Sequence, residues 1–497
     1  MSPLPIRSMF IVAALMSGAA HASEITPEQA KEIETNLTSI LPKGMIPAGA
    51  ITVQAKGDAY QVTVDPMELF SLDKKKDIKI SGLTPWVYRL RPTDDGLWQL
   101  DQQSNLDVKA QFQSPQGPTD VEYAIASSQY NGIFDPALRY AKSATLKAQN
   151  LRVTSKNPAQ SFDIGLGSLD YSLSSEKGDN NTLNVKNTMT IKDYSQTMNP
   201  ANKPGTLFQA ASGGGEGNIT GLSMQAIQEI VLILLQNVPN KHIRLDDKER
   251  LKTLFRSSFP LFQNASQNIV YHDVQVNTNG ATFGVKNYGL NLNANGIRND
   301  ARYAIGLDLA GLKLPPGMLP PTFTSLIPDD LHINVAASGI NTQNGVVYMM
   351  DNVDFTPGRQ MTPPETAEIR RQFFPENTLT LTFDGSHAAS SLYDVTVTGK
   401  TIIAMSGPDK PQADVTIRAK GLDKTIEYLS SHAKQEPKLG QAAFFMMMAK
   451  GFAKTDSNGD NLWHVESDSA GQIKINGHEF QLPSAPKQPI APPAPQQ

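Results

Sequence analysis

The residues whose types and spacing come closest to a metal site are three polar side chains near the carboxyl end. Asp456, Asn458 and Asp460 have the 1-3-5 spacing of a calcium loop. An EF-hand would also need a glycine at the sixth position and a glutamate at the twelfth. Those positions hold Asn461 and Ser467. We therefore expect a solvated turn between a helix and a strand, and we predict no metal ligands.

Candidate nucleophiles and bases also lack the partners that catalysis requires. Ser174 and Lys177 match S-x-x-K, but they occur in a polar segment expected to be a turn, without the companion motifs. His387 follows Asp384-Gly385-Ser386, yet adjacency in sequence does not make a catalytic triad. His272, between Val270 and Val274, is expected to be a core histidine on an apolar strand face. We predict no catalytic residue and no cofactor, and hence a non-enzymatic protein.

A glycine-rich segment, Ala211–Gly217, resembles a phosphate-binding loop only in its glycines. It lacks the Lys and Ser/Thr that hold phosphate, and no strand pattern leads into it. We therefore predict a flexible linker.

Two helical segments are apolar on every side, so neither has a polar face to expose to solvent. One contains six consecutive apolar residues, 230–235, and the other spans 442–449. Such helices are either buried between sheets, or they line an apolar groove or contact a membrane or a partner, a role that adaptable methionines suit. The residues that would line an apolar ligand site are Ile230, Ile233, Leu234, Phe444, Phe445, Met447 and Met448.

The elements that would position these residues follow two periodicities. Alternation of apolar and polar residues recurs along most of the chain, which is typical of antiparallel strands with one wet face. The alternation shifts by one position at Gly167, as a β-bulge would cause. The pattern predicts an α+β fold, rich in β-structure, with about fifteen to eighteen strands in long curved antiparallel sheets and helix pairs packed on them. The predicted helices are 26–40, 223–238, 246–259, 422–433 and 439–453.

The helix pairs divide the chain into two similar halves. The ends of the chain predict its location in the cell. Arg7, an apolar run and Ala20-His21-Ala22 make a cleavable secretory signal. The predicted organisation is a signal peptide at 1–22, α+β halves at 23–265 and 266–482, and a Pro/Ala-rich disordered tail at 483–497. The chain is expected to be periplasmic, with no stable membrane span after cleavage.

Composition excludes some classes of partner. Without Arg7, the mature chain has 43 Lys and Arg against 48 Asp and Glu, a net charge of −5. A nucleic-acid partner would require a concentrated basic face, which this chain lacks. The chain has no cysteine, so large cores must stabilise it without disulfides.

Two segments resemble a family of bacterial periplasmic proteins of unknown function, loosely similar in style to AsmA-like envelope proteins. One is the helix–Pro–strand–Asn-Gly–strand segment from Leu254 to Phe283, and the other is the closing Gly471–Gly477 with its Ile-Asn-Gly end. The resemblance implies export, an elongated β-rich fold and work in envelope or outer-membrane lipid homeostasis. It carries over no catalytic residue, and the cleavable signal departs from the anchored members.

Two functions follow from these observations. The first is a non-enzymatic envelope protein that binds an apolar, lipid-like ligand in a groove between sheet and helices. The second is a structural or assembly factor that acts through protein–protein contacts in the envelope, by way of sheet edges or the Pro-rich tail. A hydrolase or transferase is a third class, for which no constellation of residues is visible.

Overall fold

The computed structural model describes residues 25–39, 46–70, 78–237, 243–353 and 359–480, so the signal peptide predicted at 1–22 and the tail predicted at 483–497 lie outside the described residues. Over these ranges the chain forms one open antiparallel sheet of 21 strands. The strands are β1 Ile51–Lys56, β2 Ala59–Val64, β3 Lys79–Ser81, β4 Trp86–Pro92, β5 Trp98–Ser114, β6 Gly117–Asp135, β7 Tyr140–Lys156, β8 Gln160–Lys177, β9 Leu183–Pro200, β10 Thr206–Leu222, β11 Asn264–Thr278, β12 Ala281–Ala294, β13 Ala301–Lys313, β14 Asp330–Ile340, β15 Thr378–Ala389, β16 Asp394–Ala404, β17 Gln412–Lys420, β18 Lys454–Thr455, β19 Asn461–Ser467, β20 Ile473–Ile475 and β21 His478–Phe480.

The sheet is a meander, in which almost every strand pairs with the next along the chain. From β4 to β17 each strand pairs with its successor, β1 and β2 precede them, and β19 to β21 follow. The boundary predicted at residue 265 falls inside β11, which pairs with both β10 and β12, so the sheet is continuous there. A duplication of two halves stays a prediction.

The described residues also form nine α-helices. They are α1 Pro27–Ser39, α2 Pro66–Phe70, α3 Met224–Asn237, α4 Leu245–Ser258, α5 Pro321–Thr324, α6 Thr342–Asn352, α7 Pro363–Phe373, α8 Leu422–His432 and α9 Pro437–Gly451. All five predicted helices are present within two residues of their predicted ends. Helix α1 begins as its sequence predicts, because the Thr26 hydroxyl accepts a hydrogen bond from the Gln29 amide at 3.3 Å.

Helices α6 and α7 form a third pair that the sequence pattern did not lead us to predict. Asn341 caps α6 by accepting a bond from the Asn344 amide at 2.8 Å. Thr362 and Glu365 form a capping box at α7, with Pro363 in its first turn. The Thr362 amide donates to Glu365, which lowers the pKa of that carboxyl to about 2. This capping box was the available sequence signal.

The widest part of the sheet is creased by a line of irregular residues that oppose one another across neighbouring strands. Asn150 of β7, Asp193 of β9, Asp273 of β11 and Gly311 of β13 all have positive φ, between 50° and 67°. At each of these residues the regular pairing with the neighbouring strand is interrupted for one residue pair. Gly167 of β8 occupies the same gap opposite Asp193, so the phase shift predicted there is confirmed.

This crease runs through Asn150, Gly167, Asp193, Asp273 and Gly311 and affects which way the side chains point. Pairing on either side of it stays one-to-one, so no strand gains a residue on its neighbour and the shift at Gly167 is not a β-bulge. The irregular backbone shifts the alternation of neighbouring strands at the same level. Apolar side chains stay on one side of the sheet after the shift, because Ala148 and Leu151 of β7 pack in the same cluster.

The crease predicts a residue-specific effect at Asp273, which is exposed and has φ 51°. A β-branched residue disfavours this left-handed conformation by about 1–2 kcal/mol, whereas glycine adopts it readily. Asp273→Val should therefore lower the free energy of unfolding by about that amount, and Asp273→Gly should not. Gln275→Val, on the same strand with ordinary φ, is the control. Equal denaturation midpoints for Asp273→Val and Asp273→Gly would contradict this prediction.

Candidate functional site

One face of the sheet carries long rows of apolar side chains that run across the strands. The first row crosses nine strands and has only one residue without a side chain. Its residues, in order from β6 to β14, are Tyr130, Leu146, Tyr171, Met189, Gly215, Ile269, Leu290, Leu307 and Ile333. Because side chains alternate between faces along each strand, residues two positions away lie on the same face. We call this side the apolar face.

A second row runs beside the first on the apolar face and extends it to β17. Its residues, from β7, are Ala148, Leu169, Ile191, Gly213, Tyr271, Tyr288, Leu309, Leu331, Ala388, Val395 and Ala419. Adjacent side chains of such rows contact one another across the strands and contribute to sheet stability. The two rows therefore make one continuous apolar surface.

The opposite face is polar over the same strands. One row on it begins with Lys147, Asp170 and Thr190 on β7 to β9, and it reaches Asp308, His332 and His387 on β13 to β15. His332 and Asp308 bond across the strands, with 2.5 Å between Nδ1 and Oδ1. This face has the composition expected of a solvated surface.

Among the described residues, no helix contributes to the core cluster near the centre of the apolar face, which consists of strand residues from β5 to β11. The helix pairs form separate cores, one between α3 and α4 and another between α8, α9 and α5, and the start of α3 also packs on strand residues. Leu169 and Ile191 are buried by their neighbours in the strand cluster. The predicted packing of helix pairs on the sheet is therefore not observed for this cluster.

Further along the sheet the apolar face is open. Leu292 is 41% exposed and Ile305 is 52% exposed, although both are apolar and lie within the paired length of their strands. A groove of about 620 Å³ lies over this region. Its lining is predominantly apolar and includes Ile219, Leu292, Tyr303, Ile305, Val335 and Leu381. Its volume is within the roughly 300–1,000 Å³ typical of small-ligand sites.

The glycine-rich segment passes through the middle of this surface. The prediction of a flexible linker at Ala211–Gly217 was wrong, because these residues are the centre of β10 and pair with β9 and β11. Gly213, Gly215 and Gly217 all face the apolar side. The ring of Tyr271 lies across Gly213, where a Cβ would come within 2.6 Å of it. Glycine here allows close approach of neighbouring groups, a recognised use of glycine in strands.

Tyrosines on the apolar face reflect its low polarity. Burial raises the pKa of Tyr171, and burial followed by the neighbouring Tyr271 raises the pKa of Tyr194. The Tyr194 hydroxyl donates to Gln196 at 2.9 Å. A phenol in such surroundings presents an apolar ring with a satisfied polar tip.

The seven candidate residues from the sequence fall into two sets, neither of which lines the groove. Ile230 and Ile233 are buried against Leu251, between α3 and α4. The other five candidates are exposed and lie on two helices that are far apart. Helix α3 follows β10, whereas α8 and α9 follow β17. Because β10 and β17 run in opposite directions, these helices lie at opposite ends of the strands. These exposed candidates are Leu234 on α3 and Phe444, Phe445, Met447 and Met448 on α9.

The histidines occupy places that sequence proximity did not predict. His272 is exposed and bonds Asn287 at 2.8 Å, so its assignment to the core was wrong. The reason is the positive φ at Asp273, which puts His272 and Val274 on different faces. Ser386 exchanges hydrogen bonds with the backbone of Asn334 and is not aligned with His387.

The remaining motifs have structural roles. Asp456 accepts bonds from the amides of Asn458 and Asp460, at 2.8 and 3.0 Å, which lower the pKa of its carboxyl. The expected turn is present. Ser174 and Lys177 lie in β8 and not in a turn. Within the described ranges, no group of three or more His, Asp or Glu side chains is placed to hold a metal ion.

Neither the helices nor the known proteins give a further indication of function. Among the described helices, none has both the length and the apolar character needed to cross a bilayer. No protein-family model, no curated protein and no solved structure matches the chain. The groove must therefore be interpreted from its own chemistry.

The glycines on the apolar side of β10 predict that position 215 must lack a side chain. A Cβ there would lie 2.2 Å from the carbonyl oxygen of Asn268, which is backbone and cannot rotate away. Gly215→Ala should lower the unfolding free energy by about 1–3 kcal/mol, the usual cost of overpacking. Gly451→Ala, at a position with no atom within 4 Å, should not. Thermal unfolding of both variants tests this, and an unchanged midpoint for Gly215→Ala would contradict the packing described for β10.

Proposed function

We propose that this chain is a non-enzymatic protein of the bacterial periplasm that binds an apolar, lipid-like ligand on the apolar face of its sheet. The observation that carries the proposal is the open groove of about 620 Å³. Large apolar side chains remain exposed in it, at Leu292 and Ile305, and Ile333 on β14 is exposed on the same face of the sheet. Contiguous exposed apolar surface on a folded protein is typical of an interaction site.

The chemistry of the lining favours a hydrocarbon chain as ligand. The side chains of Ile219, Ile305, Val335 and Leu381 offer no hydrogen-bonding group and no charge. Each methylene that leaves water for such a surface contributes about 0.8 kcal/mol. A ligand of many methylenes would gain most from these side chains, although amide side chains such as Asn187 and Gln267 also line the groove.

The extended rows of the apolar face suit a long ligand. Their side chains are half-buried or exposed from β11 to β14, at Ile269, Leu290, Leu307 and Ile333, whereas most of those on β7 to β9 are buried. A flexible chain could therefore extend from the groove across β11 to β14, with these side chains beneath it.

The groove can be tested by variants that change its polarity without changing the core. Leu292→Gln combined with Ile305→Gln places amides on the groove floor, where both side chains are already partly exposed. We expect the melting temperature to change little and co-purified lipid to fall by about tenfold or more, because several methylene contacts are lost. Native mass spectrometry and extraction of lipid from protein purified from the periplasm provide the measurement.

A matched substitution separates the sheet from the helices as the binding surface. Leu234→Gln makes the same change at a candidate residue on α3 that lies outside the groove. Lipid should be retained in this variant. Loss of lipid in Leu234→Gln but not in the groove variant would move the site to the helices, and absence of lipid from the unsubstituted protein would overturn the proposal.

A further inference from the structure

Helix α9 presents a continuous apolar surface to solvent. Phe444 is 56% exposed and Phe445 is 62% exposed, and Met447, Met448 and Phe452 are also exposed. Phe444, Met448 and Phe452 follow one another at intervals of four residues, so they form one stripe along the helix. Leu439 and Ala443 on the other side pack against α8 and α5. The exposed stripe is therefore additional to what the fold itself requires.

The charges on α9 and at its two ends are mainly positive. Helix α9 contains Lys438 and Lys450 and no acidic residue, and Lys434 and Lys454 lie just beyond its two ends. From 430 to 455, the chain has four lysines and a single acid, Glu436. Lys438 precedes Phe445 by two turns on the same side of the helix. Lys450 forms an ion pair with Asp423 of α8, whereas Lys434, Lys438 and Lys454 are exposed.

In α9 the exposed aromatic and methionine side chains lie between lysines near the two ends of the helix, an arrangement that some helices in the plane of a bilayer share. Such helices insert their apolar face into the headgroup boundary, and their lysines contact anionic lipids. We infer that α9 docks this protein on the surface of an anionic lipid bilayer. The inference rests on the proposed function, since docking would bring a lipid-binding protein to the source or acceptor of its ligand.

The position of α9 at one end of the strands supports docking through this helix. The helix lies at the strand ends where β17 finishes, together with α5. Met318 and Leu319, in the turn before α5, are also exposed apolar residues at this end. Docking through α9 would leave the apolar face of the sheet extending away from the bilayer, so that docking and ligand binding use separate surfaces.

Vesicle flotation tests the inference. The mature protein is mixed with vesicles of equal parts phosphatidylcholine and phosphatidylglycerol, and separately with phosphatidylcholine alone. We expect it to float with the anionic vesicles and to float less with neutral ones. Phe444→Ser combined with Phe445→Ser should reduce binding by about tenfold or more, because the inserted side chains are lost. Lys434→Glu combined with Lys438→Glu should weaken it and reduce its dependence on salt.

Matched controls keep the result interpretable. Val231→Ser combined with Leu234→Ser removes two exposed apolar side chains from α3, at the other strand ends, and should leave flotation unchanged. Circular dichroism melting confirms that each variant is folded. Equal loss of flotation in the α3 and α9 variants would overturn the assignment to α9.

Two further outcomes distinguish membrane docking from self-association and from ligand binding in the groove. If the unsubstituted protein is dimeric by light scattering, does not float, and becomes monomeric in the Phe444/Phe445 variant, the stripe is a contact between copies and the inference is wrong. Lipid content is measured on the same samples. Flotation by protein that carries no lipid would support docking and contradict the proposed groove, whereas bound lipid without flotation would do the reverse.

Discussion

The structure depends on cross-strand packing of apolar side chains on one face of a single unbroken meander. Because almost every strand pairs with its successor in the chain, alternation within each strand adds up to one apolar and one polar face. Burial of the apolar side is the main stabilising contribution available to a chain without cysteines. Among the residues that the structure describes, the core cluster near the centre contains only strand residues.

The crease shifts the alternation of neighbouring strands together and so keeps the apolar face continuous. Asn150, Asp193 and Asp273 have left-handed φ there, and Asn and Asp accept this conformation more readily than other residues with a side chain. On β7 to β9, Leu146, Leu169 and Ile191 are buried among their own neighbours. Beyond β11 this self-burial is less complete, and the exposed Leu292 and Ile305 mark where the surface stays open.

Much of the local structure could be predicted from the sequence, because the signals were local. The capped start of α1, the helices α3, α4, α8 and α9, and the shift at Gly167 all follow from neighbouring residues. The strand through Gly213–Gly217 could not be predicted in this way, since glycine has no side chain to alternate and is depleted in strands. Glycine is required there because Tyr271 and the strands β9 and β11 approach closely, and these contacts depend on the tertiary structure. The pair α6 and α7 was missed although the Thr362–Glu365 capping box is visible.

The candidate site was predicted less well, and for a physical reason. The sequence pointed to the longest apolar runs, which are the helices α3 and α9, but Ile230 and Ile233 proved to be core. The groove is lined by residues such as Ile219, Tyr303 and Leu381 that are far apart in the chain. Only strand register brings them together, and register depends on turns and bulges throughout the sheet.

Photo-crosslinking at two positions of β13 tests the central claim most directly. Ile305 lies on the apolar face and lines the groove, whereas Asp308 lies on the opposite face and does not line it. After irradiation of living cells, we expect a lipid-sized mass increase at position 305 and none at position 308. Equal adducts at both positions, or adducts at 305 that consist of protein and contain no lipid, would contradict the proposed binding face.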